Sequence, residues 1–289
     1  MTHVLTLISP GHAFSAAEFA SSLAATQWQW LEEGIAADLF LPAPLMPDQR
    51  IALAADLETK RIDHILQPMA GREKKLLVSD MDSTLIHQEC IDELADVVGL
   101  KPKVAAITER AMNGELDFKA ALRERVALLK GLPEAALVDV YTARITLMEG
   151  ARTLTQTMRA RGAYCLLVSG GFTFFTTRVR EALGFHADDA NRLDIADGKL
   201  TGQVIDPILD KDSKRASLLA ACEEHGIPLS ASLAVGDGAN DLPMLLAAGL
   251  GVAYHAKPMV QAQARHRLNH SNLSALLYAQ GIPKKDWVN

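Results

Sequence analysis

Two aspartates separated by one residue, Asp80 and Asp82 in LLVSDMDSTLI, stand at the end of an apolar run. In an extended backbone, side chains two apart point the same way, so both carboxylates face one point in space. Like charges at that range persist only with a cation between them, a proton on one of them, or both. Two further apolar runs end in polar punctuation: CLLVSGG, with Ser169, and LAVGDGAND, with Asp237 and Asp241. If the three runs are neighbouring strands, four carboxylates and one hydroxyl converge on a single cleft. An oxygen-rich, sulfur-free set suits a hard divalent cation, and Mg²⁺ is the expected cofactor. Lys214, near a helix start, can add positive charge, and the SGG turn at 169–171 can offer backbone N–H groups to an anion.

Such a cleft fits a phosphate dianion. With the phosphoryl charge neutralised, Asp80 can attack phosphorus in line and form an acyl phosphate. Asp82, its pKa raised by its neighbour, can protonate the departing alkoxide and later deprotonate water.

These groups are held by an α/β alternation. KKLLVSD lacks period-two alternation, as expected for a parallel strand buried on both faces. Residues 88–148 carry helix-spaced apolar residues punctuated by Gly99, Gly114, Gly131 and Pro133, which predicts a helical insertion. Beyond it, βα units resume, with a D-G hairpin signal in NRLDIADGKLTGQVI. The expected fold is a doubly wound parallel sheet with an inserted helical cap, ligand beyond the strand ends. Ahead of it, residues 1–72 read as a small α+β domain with strands at HVLTLIS, EEGIAADLFL and RIDHILQP and two helices between them. GREKK, 71–75, reads as a polar linker to residues 73–289.

The 289 residues are 49% hydrophobic and 22% charged with formal net charge −6, and no basic block exceeds a pair. Nucleic acid and acidic membrane are therefore poor partners, and the expected partner is a small molecule. Three widely spaced cysteines argue against a disulfide framework and for a reducing cytoplasm. No secretory signal or membrane-spanning run is expected. The nine histidines show no paired metal spacing, and His266 and His270 in HRLNH are expected at the surface.

The strings D-M-D-S-T, S-G-G, a lysine and G-D-G-A-N-D, in that order, resemble the four motifs of the haloacid dehalogenase-like phosphatases. VSGGF and VGDGANDLPM bring the resemblance closest to the branch that hydrolyses O-phospho-L-serine in the last step of serine biosynthesis. The resemblance implies Asp80 as nucleophile and Asp82 as proton donor and acceptor with its main-chain oxygen on Mg²⁺. It implies Asp237 as a metal ligand with Asp241 behind it. Ser169 and Lys214 would hold the phosphate, helped by Gly170 and Asn240, and the family spacing favours Lys214 over Lys211. It also implies that the insertion is a cap whose Glu89 pairs the substrate ammonium and whose Arg125 grips its carboxylate, with Met112 and Phe118 lining the pocket. The N-terminal residues resemble amino-acid-sensing (ACT-like) regulatory domains, which leaves open a homodimer or simple covering of the catalytic domain. Two other functions use similar parts: a phosphotransferase passing the phosphoryl group to homoserine, and a receiver-like signalling module.

Overall fold

In the computed structural model, which describes residues 2–288, buried apolar runs become the middle of one eleven-stranded sheet. The chain begins β1 (His3–Ile8), α1 (Ala16–Ser22), β2 (Gln27–Glu32), β3 (Ala36–Leu41), α2 (Pro47–Thr59), β4 (Asp63–Pro68) and β5 (Leu76–Ser79). Four helices follow, α3 (Cys90–Val97), α4 (Lys101–Met112), α5 (Phe118–Ala127) and α6 (Ala135–Arg144). Next come α7 (Ala151–Ala160), β6 (Tyr164–Phe172), α8 (Thr173–Leu183), β7 (Ala187–Ala196) and β8 (Lys199–Ile205). The chain closes with α9 (Lys211–Glu224), β9 (Ser232–Gly236), α10 (Leu242–Ala247), β10 (Leu250–Tyr254), α11 (Pro258–Gln263), β11 (His266–Leu268) and α12 (Ala275–Ala279). The strand order is β2-β3-β1-β4-β11-β10-β9-β5-β6-β7-β8.

From β11 to β7 every pairing is parallel, and β5, β9 and β10 are buried along their whole length. Alternate residues of these strands serve opposite faces. Leu77, Cys165, Leu233 and Val252 pack with α7, α8 and α12, while Val78, Leu166, Ala234 and Ala253 pack with α9, α10 and α11. This is the doubly wound arrangement that the uninterrupted apolar strands predict.

The insertion forms α3–α6 on a two-stranded stalk. Ile86 bridges Leu147, the N–H of His87 donates to Thr146 O, and that of Met148 to Leu85 O. On the far side the β7–β8 hairpin turns through Asp197 and Gly198, both at positive φ, and bonds through Leu200 and Gly198 to the loop at 131–134.

Three sequence expectations change. First, EEGIAADLFL is not one strand region: β2 and β3 form a hairpin turning near Gly34, giving β-α-β-β-α-β in the N-terminal unit. Only Leu31 of QWQWLE is buried, so this edge strand carries too little apolar pattern to be seen. Second, GREKK, expected as a polar linker, is tied into both flanking units, with Lys74 buried while Gly71 and Lys75 are exposed. Arg72 pairs with buried Asp38 at 2.7 Å, bonds Thr6, and donates to the carbonyls of Tyr278 and Ala279, while buried Lys74 donates to Ser230 O. Polar residues go inward here because carbonyls and a carboxylate of both flanking units await them. Third, His266 and His270 are largely withdrawn from solvent, because β11 extends the parallel sheet to meet β4 through the Arg267–His64 pair. The strands β9, β5 and β6 are adjacent in that order, so the loops that follow them share one space.

Candidate active site

The order β9-β5-β6 brings Asp237, Asp80 and Ser169 together, as their positions at the ends of buried strands require. Asp80 follows β5, and its N–H continues the ladder by donating to Val235 O at 3.0 Å. Its Oδ1 accepts from Met81 N at 2.7 Å and lies 2.8 Å from Lys214 Nζ. Lys214, completely buried in α9, donates to Asp241 Oδ1 at 2.6 Å. Lys211, three residues earlier, is exposed. Asp241 Oδ2 accepts from the N–H groups of Asp237 and Gly238, which ties the loop after β9 to itself. Gly236 permits this: a Cβ there would stand 2.4 Å from Asp241 Cγ.

Ser169 does not end its strand. β6 runs on through Phe172, with a register shift between Ser169 and Phe172, so SGG is a bulge in the strand. Ser169 Oγ accepts from Gly171 N at 2.9 Å. Gly170 lies beneath Phe118 of the cap, where a Cβ would be 2.8 Å from the ring.

The cap closes the cleft. Glu89, Met112, Phe118 and Arg125 line it together with Asp80, Asp82, Ser169, Gly170, Asp237 and Asn240, and about 30 Å³ of space remains inside. Arg125 is buried, and its guanidinium donates to Thr108 Oγ1 at 3.0 Å, which donates to Asp92 Oδ1 at 2.7 Å. Glu89 Oε1 accepts from Ser83 Oγ at 2.8 Å, and Thr84 Oγ1 donates to Asp237 Oδ1 at 3.0 Å. These four hydroxyl and carboxyl partners were not singled out by sequence reasoning. Ser83 and Thr84 carry a signal, since they directly follow Asp82 in the same loop. Thr108 and Asp92 carry none, because sixteen residues and a helix turn separate them.

Charge is scarce on the positive side. Burial, then Asp241, pushes the Asp80 carboxyl up to about 7 against the pull of Lys214. Burial, then Glu89, raises Asp82 well above the usual range, and burial with Glu89, Asp241 and Asp80 does the same to Asp237. Burial opposes the charge on Lys214, but Asp241 and Asp80 outweigh it and raise its pKa. Carboxylate oxygens of Asp80, Asp237 and Asp241 come within 4.8 Å of one another, and Asp82 Oδ1 is buried with no partner among the described residues. A hard-oxygen set with an unsatisfied buried acceptor fits a small divalent cation. Asp82's carboxylate is outside that group and Asp241's is inside it, although Asp241 already holds Lys214 and two N–H groups.

The family model described as haloacid dehalogenase-like hydrolase matches residues 77–246. A phosphoserine phosphatase of Polaromonas sp. is 51% identical over 208 residues, covering 70% of this chain and 88% of that protein. The crystal structure of a HAD-family hydrolase from Salmonella enterica serovar Typhi superposes with TM-score 0.85 at 31% identity, over 96% of this chain and 98% of that one. A substrate-bound phosphoserine phosphatase complex superposes with TM-score 0.69 at 40% identity, over 71% and 98%. The chain belongs to the haloacid dehalogenase-like hydrolases.

Proposed function

We infer that this chain is a phosphoserine phosphatase, hydrolysing O-phospho-L-serine to L-serine and phosphate as the last step of serine biosynthesis. The observation that carries the reading is that one cavity holds both a carboxylate nucleophile beside a buried lysine and a pair of opposite charges, Glu89 and Arg125, on the cap. A phosphate dianion and an α-amino acid zwitterion need those two halves, and Arg can grip a carboxylate through two N–H groups.

In this reading Asp80, Asp237 and the main-chain oxygen of Asp82 hold Mg²⁺, which when bound offsets the charge on the phosphoryl oxygens. Ser169, Lys214, Gly170 and Asn240 hold the phosphate. Lys214 and Met81 N occupy Asp80 Oδ1, leaving Oδ2 to attack phosphorus. The new O–P bond forms as the ester P–O bond breaks, and Asp82 gives its proton to the serine oxygen. Asp82 then takes a proton from water, whose oxygen displaces Asp80 from phosphorus and releases phosphate. Burial suits Asp82 to hold that proton near neutrality.

The β-α-β-β-α-β order of residues 1–72 supports reading them as an ACT-like domain joined to a phosphatase domain of residues 73–289, with its cap at about 88–148. The edge strand β2, with Trp28 exposed, is where a second copy would pair in a homodimer. Three free, buried cysteines suit a cytoplasmic protein, and no helix among the described residues is long and apolar enough to cross a membrane.

Phosphate release from L-phosphoserine and from an aryl phosphate, with Mg²⁺ and with chelator, tests the reading. The native chain should require the metal and prefer phosphoserine, and Asp80→Asn should not turn over. Equal rates on both esters, or phosphohomoserine accumulating at the expense of free phosphate when homoserine is added, would overturn it.

A further inference from the structure

We infer that the groove between α2 and β11 is a second ligand site, built for a small organic oxyanion with an apolar body. The groove holds about 340 Å³, within the usual range for small-molecule sites, and shares no lining residue with the active site. Three guanidiniums line it, Arg50 from α2 and Arg265 and Arg267 from the β11 segment, and none takes part in an ion pair among the described residues. In a chain of net charge −6 such a cluster is a local exception.

Of the groove's two acids, Asp63 is fully engaged. Asp63 accepts from the N–H groups of Asn269, His270 and Ser271 at 2.8, 3.1 and 2.7 Å, and Glu58 contacts His270 at 3.3 Å. Three guanidiniums therefore face one free carboxylate, that of exposed Glu58, so the groove favours a net anion over an amino-acid zwitterion, whose charges cancel. Its two imidazoles register the unbalanced charge. Burial holds His266 down at about 4, and His64, Arg50, Arg265 and Lys74 press the same way. Burial and then Arg267 lower His64, against a smaller upward pull from Asp63 and Glu58. Neutral imidazoles can still donate one N–H each, and the guanidinium fork matches a carboxylate or phosphoryl group bidentately. Leu5, Leu53, Ile62 and Leu66 form an apolar wall, which bare phosphate would leave unfilled. An occupant would touch α2 and β4 of the N-terminal unit and β11 of the catalytic sheet at once.

The test follows the Cε1–H resonances of His64 and His266 by NMR while the full chain is titrated with phenylphosphonate, benzoate or L-serine. At least one of the two oxyanions should shift both resonances saturably, and whichever does so identifies the headgroup. L-Serine should leave them in place. Arg265→Ala with Arg267→Ala should weaken the effective probe at least about tenfold while phosphoserine turnover stays at the native rate, the loss expected for bidentate charge-assisted bonds. Arg50→Gln, on a different element, should weaken it severalfold and serves if the double variant does not fold. Unmoved resonances into the millimolar range, an equal response to L-serine, or unchanged affinity in the Arg variants would each overturn the assignment. Since the readout is binding at histidines outside the cleft, it stands or falls separately from the phosphatase reading.

Discussion

Arg125, proposed to read the substrate carboxylate, is itself held in place. A buried guanidinium is stable in one place only when its N–H groups are spoken for, and Thr108, backed by Asp92, takes one of them. Thr108→Val keeps the shape and removes the acceptor, so KM for phosphoserine should rise about tenfold, about 1.4 kcal/mol, with the aryl phosphate rate unchanged. Arg125→Ala should cost phosphoserine kcat/KM about 100-fold or more and again spare the aryl ester, because a buried charge pairing is lost only for the zwitterion. Steady-state kinetics on both esters checks each, and equal losses would remove Arg125 from substrate recognition. The aspartates were legible in the sequence because each sits in a short polar string whose upstream strand is visibly apolar, whereas only the family resemblance, and not spacing, separated Lys214 from Lys211. The Thr108–Asp92 support was not, since nothing local marks two residues that meet only when α3 and α4 pack.

At the scale of elements, the site depends on backbone approaching side chain. Gly236 ends β9 where Asp241 folds back, and any Cβ would strike that carboxylate at 2.4–2.7 Å. Gly236→Ala should therefore displace Asp241 and its partner Lys214, lowering kcat by at least about 100-fold and costing about 2 kcal/mol of stability in a denaturant melt. An alanine variant with native kcat would show that Asp241 does not fix Lys214. The strands and helices of the catalytic sheet were readable from unbroken apolar runs and helix spacing. β2 was not, because an edge strand with one buried residue has no periodicity to read, and the bulge at SGG was not, because glycines there suggest a turn as readily as a strand irregularity.

At the scale of the molecule, the N-terminal unit is clamped to the catalytic sheet. Asp38 is fully buried and Arg72 is its ion-pair partner, so Arg72→Ala should destabilise the chain by about 3 kcal/mol. Combining it with Asp38→Ala should recover part of that loss, and a thermal melt that shifts equally for single and double variants would argue against the clamp. Acid should also act here. His266 is lowered to about 4, so the unfolded chain binds its proton first as pH falls below 6.5. Its contribution is whole above pH 6.5 and is lost as pH falls toward 4, up to about 3 kcal/mol in all. A melt series from pH 7 to pH 4 should show a smaller acid loss in His266→Gln than in the native chain. HRLNH, polar taken alone, carries no sign of this burial, and only the meeting of β11 with β4 withdraws it from water.

The central claim is covalent, and it is tested most directly by quenching the chain in mid-turnover of phosphoserine with Mg²⁺ and mapping the phosphoryl group by mass spectrometry. A phosphoryl adduct on the peptide at Asp80, absent from Asp80→Asn and cleared as substrate is exhausted, is the predicted result. An adduct on another side chain, or undiminished turnover without one at Asp80, would contradict the account.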